Sequence, residues 1–194
     1  MLLRSVAIIE PAGDQTKLYG AASRLFHWLT VLLVLSLVPI GLVMTSLDPG
    51  RLQDALFATH ESLGLTLIGL VLVRLSWRFV HPPPQPSRDL SRLEILASGA
   101  VHWMLYALLF AMPISGYVTV VAGGDKLTYF GLAEAPRLLA KNHKLSDIFM
   151  TVHVTLQYAI YVLVSIHAGA ALHHHYARGN DVLARMLPSL SKPR

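Results

Sequence analysis

Four blocks of apolar residues, each near or above the roughly 20 needed to cross a hydrocarbon core of about 30 Å, constrain this chain more than any other feature. The first, about Arg24 to Ser46, reads RLFHWLTVLLVLSLVPIGLVMTS; the second runs from about Ala58 to Val80, the third from about Ala97 to Ala122, and the fourth from about Ile148 to Tyr176. In lipid each block must satisfy its own backbone hydrogen bonds, so each is expected to be a helix, the first bent near Pro39. The expected fold is all-α: an integral membrane four-helix bundle forming one domain over residues 1–194. Composition agrees, since 54% hydrophobic and 14% charged residues leave too little polar surface to cover a soluble globule. The connector HPPPQPSRDLSRLE carries prolines that stop the second helix and arginines that suit a headgroup region. The segment Gly123 to Asp147 is expected to hold a short amphipathic piece. Residues Met1 to Gly20 lack the apolar core and cleavage site of a signal peptide, so the first span is expected to be an uncleaved anchor.

Lys and Arg set the expected orientation. On the side of the termini and the second connector lie Arg4, Lys17, Arg24, Arg74, Arg78, Arg88, Arg92, Arg178, Arg185, Lys192 and Arg194, against Arg51, Lys126, Arg137, Lys141 and Lys144 on the other. This excess predicts both termini in the cytoplasm. The formal charge of +5 is divided among loops instead of striping one face, so lipid, not nucleic acid, is the expected partner. With no cysteine in the chain, disulfides, thiolate clusters and c-type haem attachment are excluded.

Ionisable side chains inside a span are functional hypotheses by default, and the four spans carry five histidines: His27, His60, His102, His153 and His167. With cytoplasmic termini, His27, His102 and His167 fall at an inner depth and His60 and His153 at an outer one. His153 and His167 are fourteen residues apart, about 21 Å along a helix and close to four full turns, so they face the same way. One helix offering an axial imidazole at each depth is what two stacked haems require. The outer layer pairs His60 with His153. For the inner layer His27 and His102 are rival partners of His167, and spacing does not choose between them. Zinc is less apt, since neither layer supplies four convergent ligands.

The fourteen-residue offset recurs. Beyond His27 it reaches Gly41 and beyond His102 it reaches Gly116, where a missing side chain would let a flat macrocycle approach the backbone, although glycines also serve ordinary helix packing. Beyond His60 it reaches Arg74, placed to meet a haem propionate or to snorkel to the interface. His173, His174 and His175 follow the last span into the interface.

These segments resemble the prokaryotic cytochrome b561 family over almost the whole chain: RLFHWLTVLLV its first helix, HESLGLTLIGLVLVRLSWRFVHPPP its second, HWMLYALLFAMPISGY its third, and HVTLQYAIYVLVSIHAGAALHHHYARGNDVLARMLP its fourth helix and tail. The resemblance implies two b haems with axial ligands at His27, His60, His153 and His167, paired as His27 with His167 and His60 with His153. It also implies electron transfer to ubiquinone, with His174 at the quinone and His102 as its helper. One branch is similar to superoxide oxidase, which draws electrons from periplasmic superoxide. Lys126, Arg137, Lys141 and Lys144 could steer that anion, or be solvated beside Asp125, Glu134 and Asp147. Where the superoxide oxidase has a Lys and a Trp before the outer histidine, this chain has Met150 and Val152. The other implied role is a cytochrome b subunit anchoring a periplasmic dehydrogenase or hydrogenase and feeding its electrons to quinone.

Overall fold

The computed structural model describes residues 18–87, 89–187 and 189. Arg4, Lys17, Arg88, Lys192 and Arg194 of the orientation count, and residues 1–17 of the stretch read as lacking a signal peptide, lie outside the described residues. Four helices dominate: α1 (Ala21–Ser46), α2 (Arg51–Val80), α3 (Arg92–Gly123) and α4 (His143–Leu172), the last running on as a π-helical turn over His173–Ala177. All four are long and apolar enough to cross a membrane. The expected spans lie inside these helices but are shorter. The largest difference is at α2, which starts at Arg51 because Asp54 and Arg51 continue a helix that has already left the apolar zone.

Local chemistry sets the ends. Pro82 to Pro84 follow α2, and His81 closes it by donating its backbone N–H to Trp77 O. A capping box starts α3: the Ser91 hydroxyl accepts from Glu94 N while the Glu94 carboxylate accepts from Ser91 N, relieving two of the helix's unpaired donors. Gly124, at φ 97°, ends α3 in the left-handed conformation, where glycine carries no Cβ penalty. Asn142 caps α4 by accepting from Leu145 N. The helix α1 runs unbroken through Pro39.

The amphipathic piece expected between Gly123 and Asp147 is instead a small antiparallel hairpin, β1 (Thr128–Tyr129) with β2 (Ala133–Glu134), Thr128 opposite Glu134 and Tyr129 opposite Ala133. Its turn places Phe130 (φ 48°) and Gly131 (φ 69°) both in the left-handed region, matching the twist of a tight hairpin. Ser62 on α2, fully buried, pins the turn. Its hydroxyl accepts from Phe130 N at 2.9 Å and lies 3.2 Å from the Thr128 carbonyl.

In the bundle α1 packs on α2, α2 on α3, and α3 on α4. Leu67 and Val71 of α2 meet Tyr106 and Leu109 of α3, with Leu33, Val34 and Leu37 of α1 against them. Outward positions such as Leu32, Leu35 and Val162 are exposed and apolar, the pattern of a lipid-facing surface. Among the described residues no Cα of α4 lies within 8 Å of one in α1 or α2. The bundle is therefore open along the line between α4 and the first hairpin of helices.

Candidate haem-binding site

The five intramembrane histidines point into that opening. At the outer level His60 of α2 and His153 of α4 face each other with ring centres 6.3 Å apart and planes at 75°. At the inner level His27 of α1 and His167 of α4 stand 6.2 Å apart at 72°. His102 of α3 approaches His167 more closely, at 5.2 Å and edge-on. Two imidazoles on one metal, each bonded at about 2 Å with its ring centre about 1 Å behind the nitrogen, have ring centres about 6 Å apart. Both cross-gap pairs have this spacing, and the backbones behind them do not close the space between. Among the described residues no three His, Cys, Asp or Glu side chains converge as a metal cluster, so the arrangement suits two-ligand axial coordination better than a tetrahedral ion.

Hydrogen bonds fix which ring nitrogen is free. His153 Nδ1 lies 3.0 Å from the Met112 carbonyl and 3.0 Å from the Ser115 hydroxyl, which itself donates to Met112 O at 2.6 Å. A carbonyl only accepts, so His153 carries its proton on Nδ1 and presents a bare Nε2. This is the orienting arrangement usual for a metal-binding imidazole. His60 Nδ1 is buried without a partner in full hydrogen-bonding geometry, and the Leu37 carbonyl of α1 is the backbone group that bears on its ring. His102 Nδ1 is 2.6 Å from the Ser98 carbonyl, which likewise holds its proton on that side.

His27 differs. Its Nδ1 is 3.0 Å from an Arg74 guanidinium nitrogen, and arginine only donates, so Nδ1 accepts and the proton sits on Nε2. For His27 Nε2 to bind a metal as a neutral imidazole the proton must change nitrogen and Arg74 must turn away. In the conformation that reaches His27, Arg74 also lies 5.3 Å from the Tyr106 ring centre.

The two glycines are at the expected depth, but what they face is an imidazole. A Cβ on Gly41 would come 3.1 Å from His60 Cε1, and one on Gly116 would come 3.2 Å from His153 Cε1. Each clears room for the histidine of the neighbouring helix. His174, on the π-helical turn, is brought to Glu94 of α3, with Nε2 3.9 Å from its carboxylate, while Nδ1 sits 3.1 Å from the Asn180 amide. The same Glu94 pairs with Arg178. Of the outer-loop cations, Lys126 is engaged by Glu134 at 2.5 Å and Arg137 approaches the Gly124 carbonyl.

Sequence reasoning missed Ser115 and Ser62. A serine beside Gly116 within an apolar span was a signal for Ser115; nothing local marks Ser62, whose partner is a turn 68 residues on.

A helical bundle set in a membrane with imidazoles facing one another in pairs is the architecture of a membrane b-type cytochrome. The particular family follows from comparison: residues 18–189 match the prokaryotic cytochrome b561 family, and the chain belongs to it. It shares 36% identity over 171 residues with cytochrome b561 homolog 2 of Escherichia coli K12, covering 87% of this chain and 90% of that protein. It shares 28% over 172 residues with the probable superoxide oxidase CybB of Yersinia pestis, covering 89% and 97%. Membership makes this a multi-pass bacterial membrane protein that binds b-type haem and serves electron transfer.

Proposed function

We propose that the chain is a single dihaem domain over residues 1–194, with His27 and His167 holding an inner b haem and His60 and His153 an outer one. Both termini face the cytoplasm of the bacterial inner membrane, and electrons pass from a periplasmic donor, superoxide foremost, to ubiquinone. The observation that carries this is the pair of matched ring separations, 6.2 and 6.3 Å, at two levels of an open bundle. Haem iron supplies one-electron storage. Two superoxide anions each lose one electron and leave as dioxygen, and one ubiquinone takes up both electrons and two protons.

The protein's own part is placement. An iron held by two of these imidazoles would offer the donor no position, so electron transfer would proceed without the donor binding the metal. Against His102 as the inner ligand stands its 5.2 Å edge-on approach to His167, which departs from the spacing shared by the other pairs. His102 remains beside the inner level as a companion to His174, the proposed proton donor to reduced quinone. Arg74, Gly41 and Gly116 complete the haem surroundings, the glycines by seating the outer imidazoles and Arg74 by offering charge to a propionate.

Haem quantification in the purified chain tests the reading: two haems per protein are expected, and His60→Ala should leave one. Two haems remaining in that variant would overturn the assignment. His174→Ala with normal haem content should abolish quinone reduction; an unchanged rate removes it from the site.

A second reading, a cytochrome b subunit docked to a periplasmic dehydrogenase or hydrogenase, is favoured by the outer loop. Lys126 is already paired, and Leu132 and Leu138 stand 84% and 76% exposed. Stopped-flow haem reduction by superoxide separates the two, since a slow, non-saturating response selects the partner subunit.

A further inference from the structure

Below the inner histidines a small cavity opens between α1, α2, α3 and the chain's tail, lined by Tyr19, Arg74, Trp77, Arg78, Tyr106 and Met186 among others. Two guanidinium groups one turn apart on α2 share the Tyr106 ring, Arg74 at 5.3 Å and Arg78 at 5.8 Å from its centre. Both are half-buried, and among the described residues no carboxylate lies within 4.0 Å of either. At this end Glu94 and Asp181 are engaged by Arg178 and Arg185. Two positive charges partly removed from water without a counter-charge are unfavourable unless an anion joins them.

The rest of the lining is built for such a guest. Trp77 is held by its indole N–H to Ser23 Oγ at 3.2 Å and stacks on His81 at 3.8 Å, giving a fixed wall. The tail crosses the mouth, accepting from Trp28 Nε1 at Met186 O and from Tyr19 N at Arg185 O, each at 3.2 Å. Burial raises the Tyr19 phenol above its ordinary value, against the pull of Arg78 and Arg185, so at neutral pH it keeps its O–H to donate.

We propose that Arg78, Arg74 and Tyr19 form a binding site for a single oxyanion at the inner end of the bundle. The chemistry is a group with two or more acceptor oxygens accepting from guanidinium and phenol. A phosphate of an anionic lipid headgroup and a carboxylate carried by a porphyrin both have it. The carboxylate source rests on the dihaem reading above; the phosphate source does not.

The test uses the full-length, haem-loaded protein and its Arg78→Gln, Arg78→Lys and Tyr19→Phe variants. Native mass spectrometry from phosphatidylglycerol and phosphatidylcholine nanodiscs reads lipid retention, and redox titration reads the haem midpoints. One phosphatidylglycerol retained by the parent, held about tenfold more weakly by Arg78→Gln, identifies the phosphate. No preference for phosphatidylglycerol, with a fall in one haem midpoint in Arg78→Gln that Arg78→Lys largely restores, identifies the carboxylate. Variants matching the parent in both lipid retention and midpoints overturn the site. If Arg78→Gln fails to fold, Tyr19→Phe, which keeps the ring and removes only the donor, decides alone. A parent without haem sinks the dihaem reading, and lipid retention then decides this one.

Discussion

The outer and inner levels of the bundle hold their histidines in opposite ways. At the outer level the rings are seated by the fold: each lies against a glycine of the adjacent helix, and His153 is fixed by a carbonyl and a buried serine. At the inner level His167 has both His27 and His102 as neighbours, and His27 accepts from a charged side chain instead of donating to the backbone. On the proposed dihaem reading, a metal at the outer site would require no change of tautomer at His153, whereas one at the inner site would require His27 to move a proton and Arg74 to turn away.

The largest expected effect breaks the inner level. His27→Ala should remove the inner haem and halve haem content, while His102→Ala should leave both haems in place. If haem content falls in His102→Ala and survives in His27→Ala, the inner pairing is wrong and the contrast between the levels rests on the wrong ring. Next comes the outer seat. Gly116→Ala puts a methyl 3.2 Å from His153 in a site hemmed in by Ser115 and Met112, and overpacking of this kind costs about 1–3 kcal/mol. A lower thermal midpoint and a perturbed outer haem spectrum should follow, with the inner haem unaltered; an unperturbed spectrum would show that the seat is loose.

How much of this could be read beforehand follows the range of the interactions. Helix existence, histidine depth and the i, i+14 face were legible because they depend only on the 3.6-residue repeat and the cost of polar groups in lipid. The rivalry between His27 and His102 was not resolvable from spacing, since both lie at one depth and only the lateral position of helices, a tertiary property, separates them. For Gly41 and Gly116 the offset gave depth, whereas the imidazole each one faces depends on α1 packing on α2 and α3 on α4, which no spacing reveals. Arg74 was seen as a propionate partner, and its hold on His27 arises from a contact 47 residues distant. The hairpin was missed because two-residue strands carry no periodicity, and its anchor is Ser62 of another helix.

A smaller effect sharpens the outer level. Ser115→Ala removes one of the two acceptors at His153 Nδ1 and leaves the Met112 carbonyl, so the tautomer is kept and the ring is less firmly held. Loss of such an orienting group weakens metal affinity by about tenfold or more. The outer haem should be lost first on titration with a competing apo-haem acceptor, while its spectrum before challenge stays normal; equal retention of both haems would mean that Met112 alone orients the ring.

The smallest effect lies outside the membrane, on the loop above the outer level. The Glu134 carboxyl is held below its ordinary range by the hydrogen bond and charge of Lys126, with both side chains more than half exposed. A carboxyl depressed in the folded state contributes stability fully present above its unfolded value and lost as pH falls through the folded one. Water and salt screen so exposed a pair, so acidification through that range should barely move the thermal midpoint. What it should change is charge: protonating Glu134 frees the Lys126 ammonium. If cations of this loop guide an anionic donor, Glu134→Gln at neutral pH should raise the second-order rate of haem reduction by superoxide about twofold at low ionic strength, with the gain vanishing at high salt. A rate unchanged at every salt concentration would show that the loop does not steer, and would leave its exposed leucines as the better guide to what meets the outer haem.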